Sequence, residues 1–160
     1  MIDQETFTAQ VLLHQKTLFR TARSILSNDA DAEDAVQEAI CSGFAHRHTL
    51  READKFKPWM LRIVTNQCYT VLRRTRPVAE LEPLEQVLAA PEHDREAELT
   101  LWQAVLSLRE EQRVVVTLFY YEDYSVREIS RILSVSEGAV KSRLNRGREQ
   151  LRSLLKDTWR

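Results

Sequence analysis

Between positions 55 and 76 the chain carries six cations, Lys55, Lys57, Arg62, Arg73, Arg74 and Arg76, and no acid. Pro58 suits the first turn of a helix. Beyond it Met60, Ile63, Val64, Cys68 and Val71 recur at helical spacing as an apolar stripe. Trp59, Arg62, Asn66, Tyr69 and Arg73, in steps of three and four, form a second face. Cations neutralise phosphates, aromatic rings stack on unpaired bases, and an asparagine amide pairs with a base edge. A helix with a cationic solvated rim and one ring packed on a neighbour explains the same residues. Composition alone leaves both accounts open.

A second cationic surface lies near the C-terminus. Val114, Val115, Leu118 and Tyr121 suggest one helix, ending near Glu122-Asp123-Tyr124. Ser125 and Glu128 have the spacing of a capping box, opening a short helix with Val126, Ile129, Ile132 and Leu133 inward. Ser134-Val135-Ser136 makes a tight turn, with Ser136 as the next N-cap. A longer helix follows, with Val140, Leu144, Gly147, Leu151 and Leu154 inward. Short helix, three-residue turn and longer helix is helix-turn-helix geometry. Residues 141–160 hold seven basic and two acidic side chains. In such a motif the N-terminal part of the second helix meets base edges, here Ser136, Glu137, Gly138, Lys141, Ser142 and Asn145. Arg127, Arg143, Arg146 and Arg148 suit phosphates, and Lys141 or Arg143 could also read guanine.

A third pattern is acidic. Residues 29–45 read as an amphipathic helix, with Ala32, Ala35, Val36, Ala39, Ile40 and Phe44 inward and Asn28 or Asp29 as N-cap. Asp31, Asp34, Gln37 and Glu38 share the opposite side. That side is either a solvated surface or a docking face for a partner.

Catalytic chemistry finds little support. The four His and two Cys show no zinc spacing, Cys68 falls on an apolar stripe, and no phosphate loop or nucleophile elbow is present. The expectation is a non-enzyme without cofactor or metal.

The elements holding these surfaces follow from punctuation and charge. Three Gly and four Pro in 160 residues leave too few turns for an all-β fold. Three of the prolines, Pro77, Pro83 and Pro91, fall within residues 77–100, which carry one basic and seven acidic side chains. Proline and like-charge repulsion both oppose a packed helix there. The sequence therefore predicts an all-α protein: two small helical domains, residues 1–76 and 99–160, joined by an acidic, proline-containing linker over 77–98. Each domain buries only about 60% of its unfolded surface at such a size and is marginal alone. No apolar run approaches the roughly 20 residues of a membrane span, the acidic start does not resemble a signal peptide, and two cysteines suit a reducing cytoplasm. The net charge of −1 thus conceals unlike parts.

Taken together, these motifs resemble the extracytoplasmic-function (ECF) sigma factors of bacterial RNA polymerase. Asp34-Ala-Val-Gln37-Glu38-Ala39 resembles the family's core-binding helix, and Phe56-Lys-Pro-Trp59-Met-Leu-Arg62-Ile63-Val-Thr-Asn66 its promoter-melting segment. Leu106 to Arg113, Phe119 to Glu122, and Ser136-Glu137-Gly138-Ala139-Val140-Lys141-Ser142-Arg143-Leu144 resemble its second DNA-binding domain. The sequence departs from the pattern at Ser134, where the family often has glycine, and at Arg109, where it often has proline.

The resemblance implies specific roles. Asp31, Asp34, Gln37 and Glu38 would dock on core polymerase. Trp59 and Asn66 would capture an unpaired base of the minus-ten element, with Lys55, Lys57, Arg62, Tyr69, Arg73 and Arg74 along the same DNA. Arg127, Ser136, Glu137, Gly138, Lys141, Ser142, Arg143, Asn145 and Arg146 would read the minus-thirty-five element. It further implies a cytoplasmic protein, monomeric when free, that is not inserted in the membrane and is held by an anti-sigma factor. The rival reading is a stand-alone helix-turn-helix regulator that binds duplex operator. It explains residues 101–160 equally well but leaves the cationic helix at 55–76 without a task.

Overall fold

The computed structural model describes residues 2–75 and 100–158. The linker reading of residues 77–98 lies outside them. The described residues form seven α-helices and no strand.

The first segment is a three-helix unit. Helix α1 (Gln4–Ile25) starts at Asp3, whose carboxylate accepts from the Thr6 amide at 2.8 Å. Helix α2 (Asp29–Ala45) starts at Asn28, whose side-chain oxygen accepts from the Asp31 amide at 2.8 Å. Each cap satisfies one of the orphan donors of a helix start. Two single 3₁₀ turns, Arg47–Thr49 and Ala53–Lys55, lead into α3 (Phe56–Thr75). The inward face of α2 is built from Ala32, Ala35, Ala39 and Gly43, whose small size lets α1 and α3 approach. Phe7, Leu18, Ile25, Phe56, Met60, Leu61, Val64 and Cys68 fill the core between them. Burial pushes the Cys68 thiol up to about 12, so it remains protonated and acts as a small apolar side chain.

The second segment contains α4 (Leu101–Leu106), α5 (Glu110–Val116), α6 (Val126–Leu133) and α7 (Glu137–Thr158). Both capping boxes are closed: Thr100 with Gln103 before α4, and Ser125 with Glu128 before α6. Ser134 ends α6 in the left-handed region at φ 59°, and Ser136 accepts from the Ala139 amide at 3.0 Å to start α7. The anticipated helix-turn-helix is therefore present, with Val140, Leu144, Gly147 and Leu151 buried. The expected single helix over 114–121 differs in detail. It widens after Val116 into one π turn, Thr117–Tyr121, and the Glu122 amide donates to the Thr117 carbonyl at 3.3 Å. The wide turn brings Glu122 inward, and Asp123 then reverses the chain with φ 60°.

Gly147 is where α7 crosses α5. A Cβ there would lie 2.8 Å from Val116 Cγ2, a distance real Cβ atoms do not show. Val116 is buried and, being β-branched in a helix, has one strongly preferred rotamer, so it cannot swing away. Alanine gains about 1 kcal/mol in helix propensity over glycine. Overpacking costs about 1–3 kcal/mol, near the upper end for a rigid neighbour. Gly147→Ala is expected to lower stability by about 1–2 kcal/mol, a fall in Tm of about 2–8 °C for a chain of this size. Thermal unfolding by circular dichroism checks this, and an unchanged Tm would mean the crossing gives way without cost.

The two segments pack against each other, and their buried apolar side chains form one continuous cluster. Marginal stability of each domain is thereby relieved in part by the other. Two polar contacts fasten the seam. Arg113 of α5 donates to the carbonyls of Ser24 (2.7 Å) and Ile25 (3.0 Å), which end α1 and lack helical partners. Glu122 accepts from Thr17 and Arg20 of α1 at 3.0 and 2.5 Å.

Candidate nucleic-acid interface

Helix α3 presents its polar face beside the end of α2. There a groove of about 470 Å³ opens between Ser42, His46 and Thr49 on one side and Trp59, Asn66 and Thr70 on the other. The Trp59 indole N–H donates to Thr49 Oγ1 at 3.1 Å, and the Thr49 hydroxyl donates to the His46 carbonyl at 2.9 Å. This relay fixes the plane of the ring, so stacking a base on it costs little side-chain entropy. The Asn66 carboxamide is exposed and has no protein hydrogen bond among the described residues. Its donors and acceptor are free for a base edge. Lys55, Arg62, Arg73 and Arg74 are exposed; Arg62 lines the groove, and Arg73 donates to Thr70 Oγ1 at its edge at 3.2 Å. Bases of a duplex are stacked and paired, so the groove suits an extruded or single-stranded base, with exposed cations of the same helix available to phosphates.

Ser42, His46 and Thr49 escaped the sequence reading. The polar residues just past the apolar stripe of α2 were the available signal, but two segments meeting in space make the groove. Tyr69 departs from expectation. It is largely buried, with its hydroxyl hydrogen-bonded to Glu110 of α5. Burial first, then the Glu110 carboxylate, raises its pKa, while the Arg143 guanidinium of α7 works against the rise. Two other residues of the α3 set also face the second segment. Arg62 Nη1 donates to the Arg131 carbonyl at 3.3 Å, and Lys57 Nζ lies 3.4 Å from Glu122 Oε1 and over the Tyr124 ring.

On α2, Asp31, Asp34, Gln37 and Glu38 are all exposed, as the helical spacing predicts. Asp31 differs from the others because Asn28 Nδ2 donates to its carboxylate at 3.1 Å, which ties it to the helix cap. Asp34, Gln37 and Glu38 project from a rigid helix as a flat anionic face able to dock a cationic partner.

At the start of α7, Ser136, Glu137, Gly138, Lys141, Ser142, Asn145 and Arg146 are exposed, as is Arg127 on α6. A Cβ on Gly138 would approach no atom more closely than Ser136 Oγ at 3.9 Å. Folding therefore does not demand glycine there, and its absence of side chain favours close approach of an external backbone. Arg143 is half-buried, and its charge acts on Tyr69. Arg148, read from sequence as a phosphate contact, is instead held within the protein. It donates to Tyr120 Oη at 2.7 Å and to Asn145 Oδ1 at 3.0 Å, and lies over the Phe119 and Tyr120 rings. That network pre-orients Asn145 at the exposed face.

Among the described residues no group of three or more His, Cys, Asp or Glu side chains could hold a metal ion. No described helix is long and apolar enough to cross a membrane.

Comparisons with known proteins give matches over both segments. Residues 11–78 match the Sigma-70 region 2 model and residues 98–151 the Sigma-70 region 4 model. The chain is 32% identical to the ECF RNA polymerase sigma factor SigW of Bacillus subtilis, over 97% of its own length and 91% of that protein. It is 34% identical to the ECF RNA polymerase sigma factor SigM of Mycobacterium tuberculosis, over 96% and 79% respectively. Among solved structures it resembles the sigma factor RpoE of Bartonella quintana, crystallised with the anti-sigma factor NepR. That match has a TM-score of 0.74 at 27% identity and covers 94% of this chain and 96% of the other.

Proposed function

The chain belongs to the ECF sigma factors, promoter-specificity subunits of bacterial RNA polymerase, and from that premise we propose how its residues divide the work. Residues 1–76 bind core polymerase through Asp34, Gln37 and Glu38 on α2, with Asp31 buttressing the helix cap. The same segment melts and reads the minus-ten element. Trp59 supplies the stacking platform and Asn66 the base-edge contact, while Lys55, Lys57, Arg62, Arg73 and Arg74 hold the strand. Tyr69 joins them once it is released from Glu110. Residues 77–98 act as the linker. Residues 99–160 read the minus-thirty-five element through Ser136, Glu137, Gly138, Lys141, Ser142 and Asn145, with Arg127, Arg143 and Arg146 on phosphates.

The observation that carries this reading is the groove at α3, with a fixed indole and an unengaged carboxamide beside Arg62. A duplex-binding regulator has no use for such a groove. Extruding a base costs a few kcal/mol, which stacking and edge contacts in the groove offset. Polymerase performs the chemistry; this chain is not an enzyme and supplies address and melting. It works in the cytoplasm, is monomeric when free, needs no cofactor, and is held by an anti-sigma factor, as the relative RpoE is with NepR.

Run-off transcription with bacterial core polymerase across a promoter library tests the whole reading. Discrete products dependent on this chain are expected, whereas tight binding of duplex DNA without polymerase, and no run-off product, would favour a conventional regulator. Lys141→Ala tests the second surface. If Lys141 contacts a base, upstream-element binding weakens by about 1–3 kcal/mol at one position of the element. A uniform loss across sequences, with a shallower salt dependence, assigns Lys141 to a phosphate instead.

A further inference from the structure

We infer that Glu122 is an autoinhibitory latch: with its partners on the first segment it holds the free chain closed and covers part of the minus-ten surface. The inference rests on the proposed role of α3. Glu122 belongs to the second segment, yet Thr17, Arg20 and Lys57, three of its partners, belong to the first. Its side chain is 3% exposed, against 32% for Arg20 and 29% for Lys57. A carboxylate withdrawn that far from water is costly unless paired, so the contact is strong only while the segments are together. His14 also faces the cluster and stacks on Phe56. Burial, then Lys57, holds its pKa below the ordinary value against the opposing pull of Glu122, so it is neutral at pH 7 and leaves the ion pairs undisturbed.

Closure engages three residues of the minus-ten set. Lys57 is neutralised by Glu122, Arg62 donates to the Arg131 carbonyl, and Tyr69 is buried against Glu110. It also brings Arg143 of the minus-thirty-five set within electrostatic reach of Tyr69. The two elements are centred about 25 base pairs apart, roughly 85 Å along B-DNA at about 3.4 Å per step. Surfaces on two segments packed against each other cannot reach across that distance to read both at once. The 24 positions between Thr75 and Thr100 can span at most about 80–90 Å, enough with the segments' own width to bridge that distance once the seam parts. The closed chain therefore cannot read both elements at once and holds the minus-ten strand without Lys57, Arg62 and Tyr69, so the affinity of the free chain for that strand is reduced by the fraction that is open.

The test measures closure and DNA binding without polymerase. Glu122→Gln removes the charge and keeps the shape, and Arg20→Gln removes a partner from the opposite side of the seam. Neither residue belongs to a DNA surface. The probe is a short single-stranded oligonucleotide carrying the minus-ten sequence of a promoter that this chain transcribes. Both variants are expected to keep their helical circular dichroism, show a larger radius of gyration by solution X-ray scattering, and bind the probe about tenfold more tightly than wild type. By reciprocity, saturating probe must also expand the wild-type chain, a measurement independent of whether any variant folds. Equal affinity of wild type and folded variants, or an unexpanded probe-saturated wild type, overturns the latch alone. Absence of probe binding by every form, including the polymerase-bound chain, overturns the minus-ten assignment and the latch with it.

Discussion

With Asn66→Ala, core polymerase still binds the chain and the closed promoter complex still forms, but open complexes accumulate about 5- to 150-fold more slowly. The range follows from the 1–3 kcal/mol that a well-made base-edge contact contributes, with 1.36 kcal/mol per factor of ten. The substitution removes a carboxamide that is exposed in the groove and makes no hydrogen bond within the protein among the described residues. Folding therefore loses nothing, and the cost falls on the step in which a base leaves the duplex. Permanganate reactivity of unpaired thymines follows that step directly. A template already melted across the minus-ten element should restore most of the rate, because the extrusion cost has been removed from the reaction. A normal melting rate on duplex promoter would remove Asn66 from base capture and leave Trp59 as a stacking platform alone.

Charge reversal at Asp34 or Glu38 acts one stage earlier. Asp34→Arg is expected to weaken core polymerase binding by 2–5 kcal/mol, the range for truncating a desolvated charge pair across an interface. Transcription from every promoter then falls together, in contrast to the promoter-specific effect expected at Lys141. Asp34 is exposed on α2 and makes no ion pair among the described residues, so the thermal stability of the free chain should be unchanged. Asp31 is the internal comparison. It is linked to Asn28 at the helix start, so Asp31→Ala should disturb α2 as well as docking. Fluorescence titration of labelled chain with core polymerase separates the cases. Undiminished affinity of the Asp34→Arg chain would assign α2 to a solvated surface.

The elements that were legible in sequence share one property: their signals are local. Helical spacing identified the inward faces of α2 and α7, residue type and position pointed to caps at Asn28 or Asp29 and at Ser136, and Glu128 three residues on identified the cap at Ser125. The candidate surfaces were legible for the same reason, since residues three and four apart on one helix point the same way. What escaped was assembled from distant segments. The groove needs the end of α2 beside α3, and the burial of Tyr69 needs α5 beside α3. Arg148 is solvent-facing by periodicity yet is held by Tyr120, twenty-eight residues earlier.

Glu122 marks the boundary between the two kinds of information. In sequence it is one acid among turn residues after an apolar stretch, and local rules assign it to solvent. The π turn over 117–121 rotates it inward, and α1 supplies Thr17 and Arg20 from more than a hundred residues away. Sequence by itself determined α2, α3 and the helix-turn-helix with its caps, the family and the cationic and acidic faces, because each depends on neighbours within a few turns. Tertiary structure alone decided which members of those faces are free and which are covered, because that depends on contacts between segments that covalent spacing does not encode.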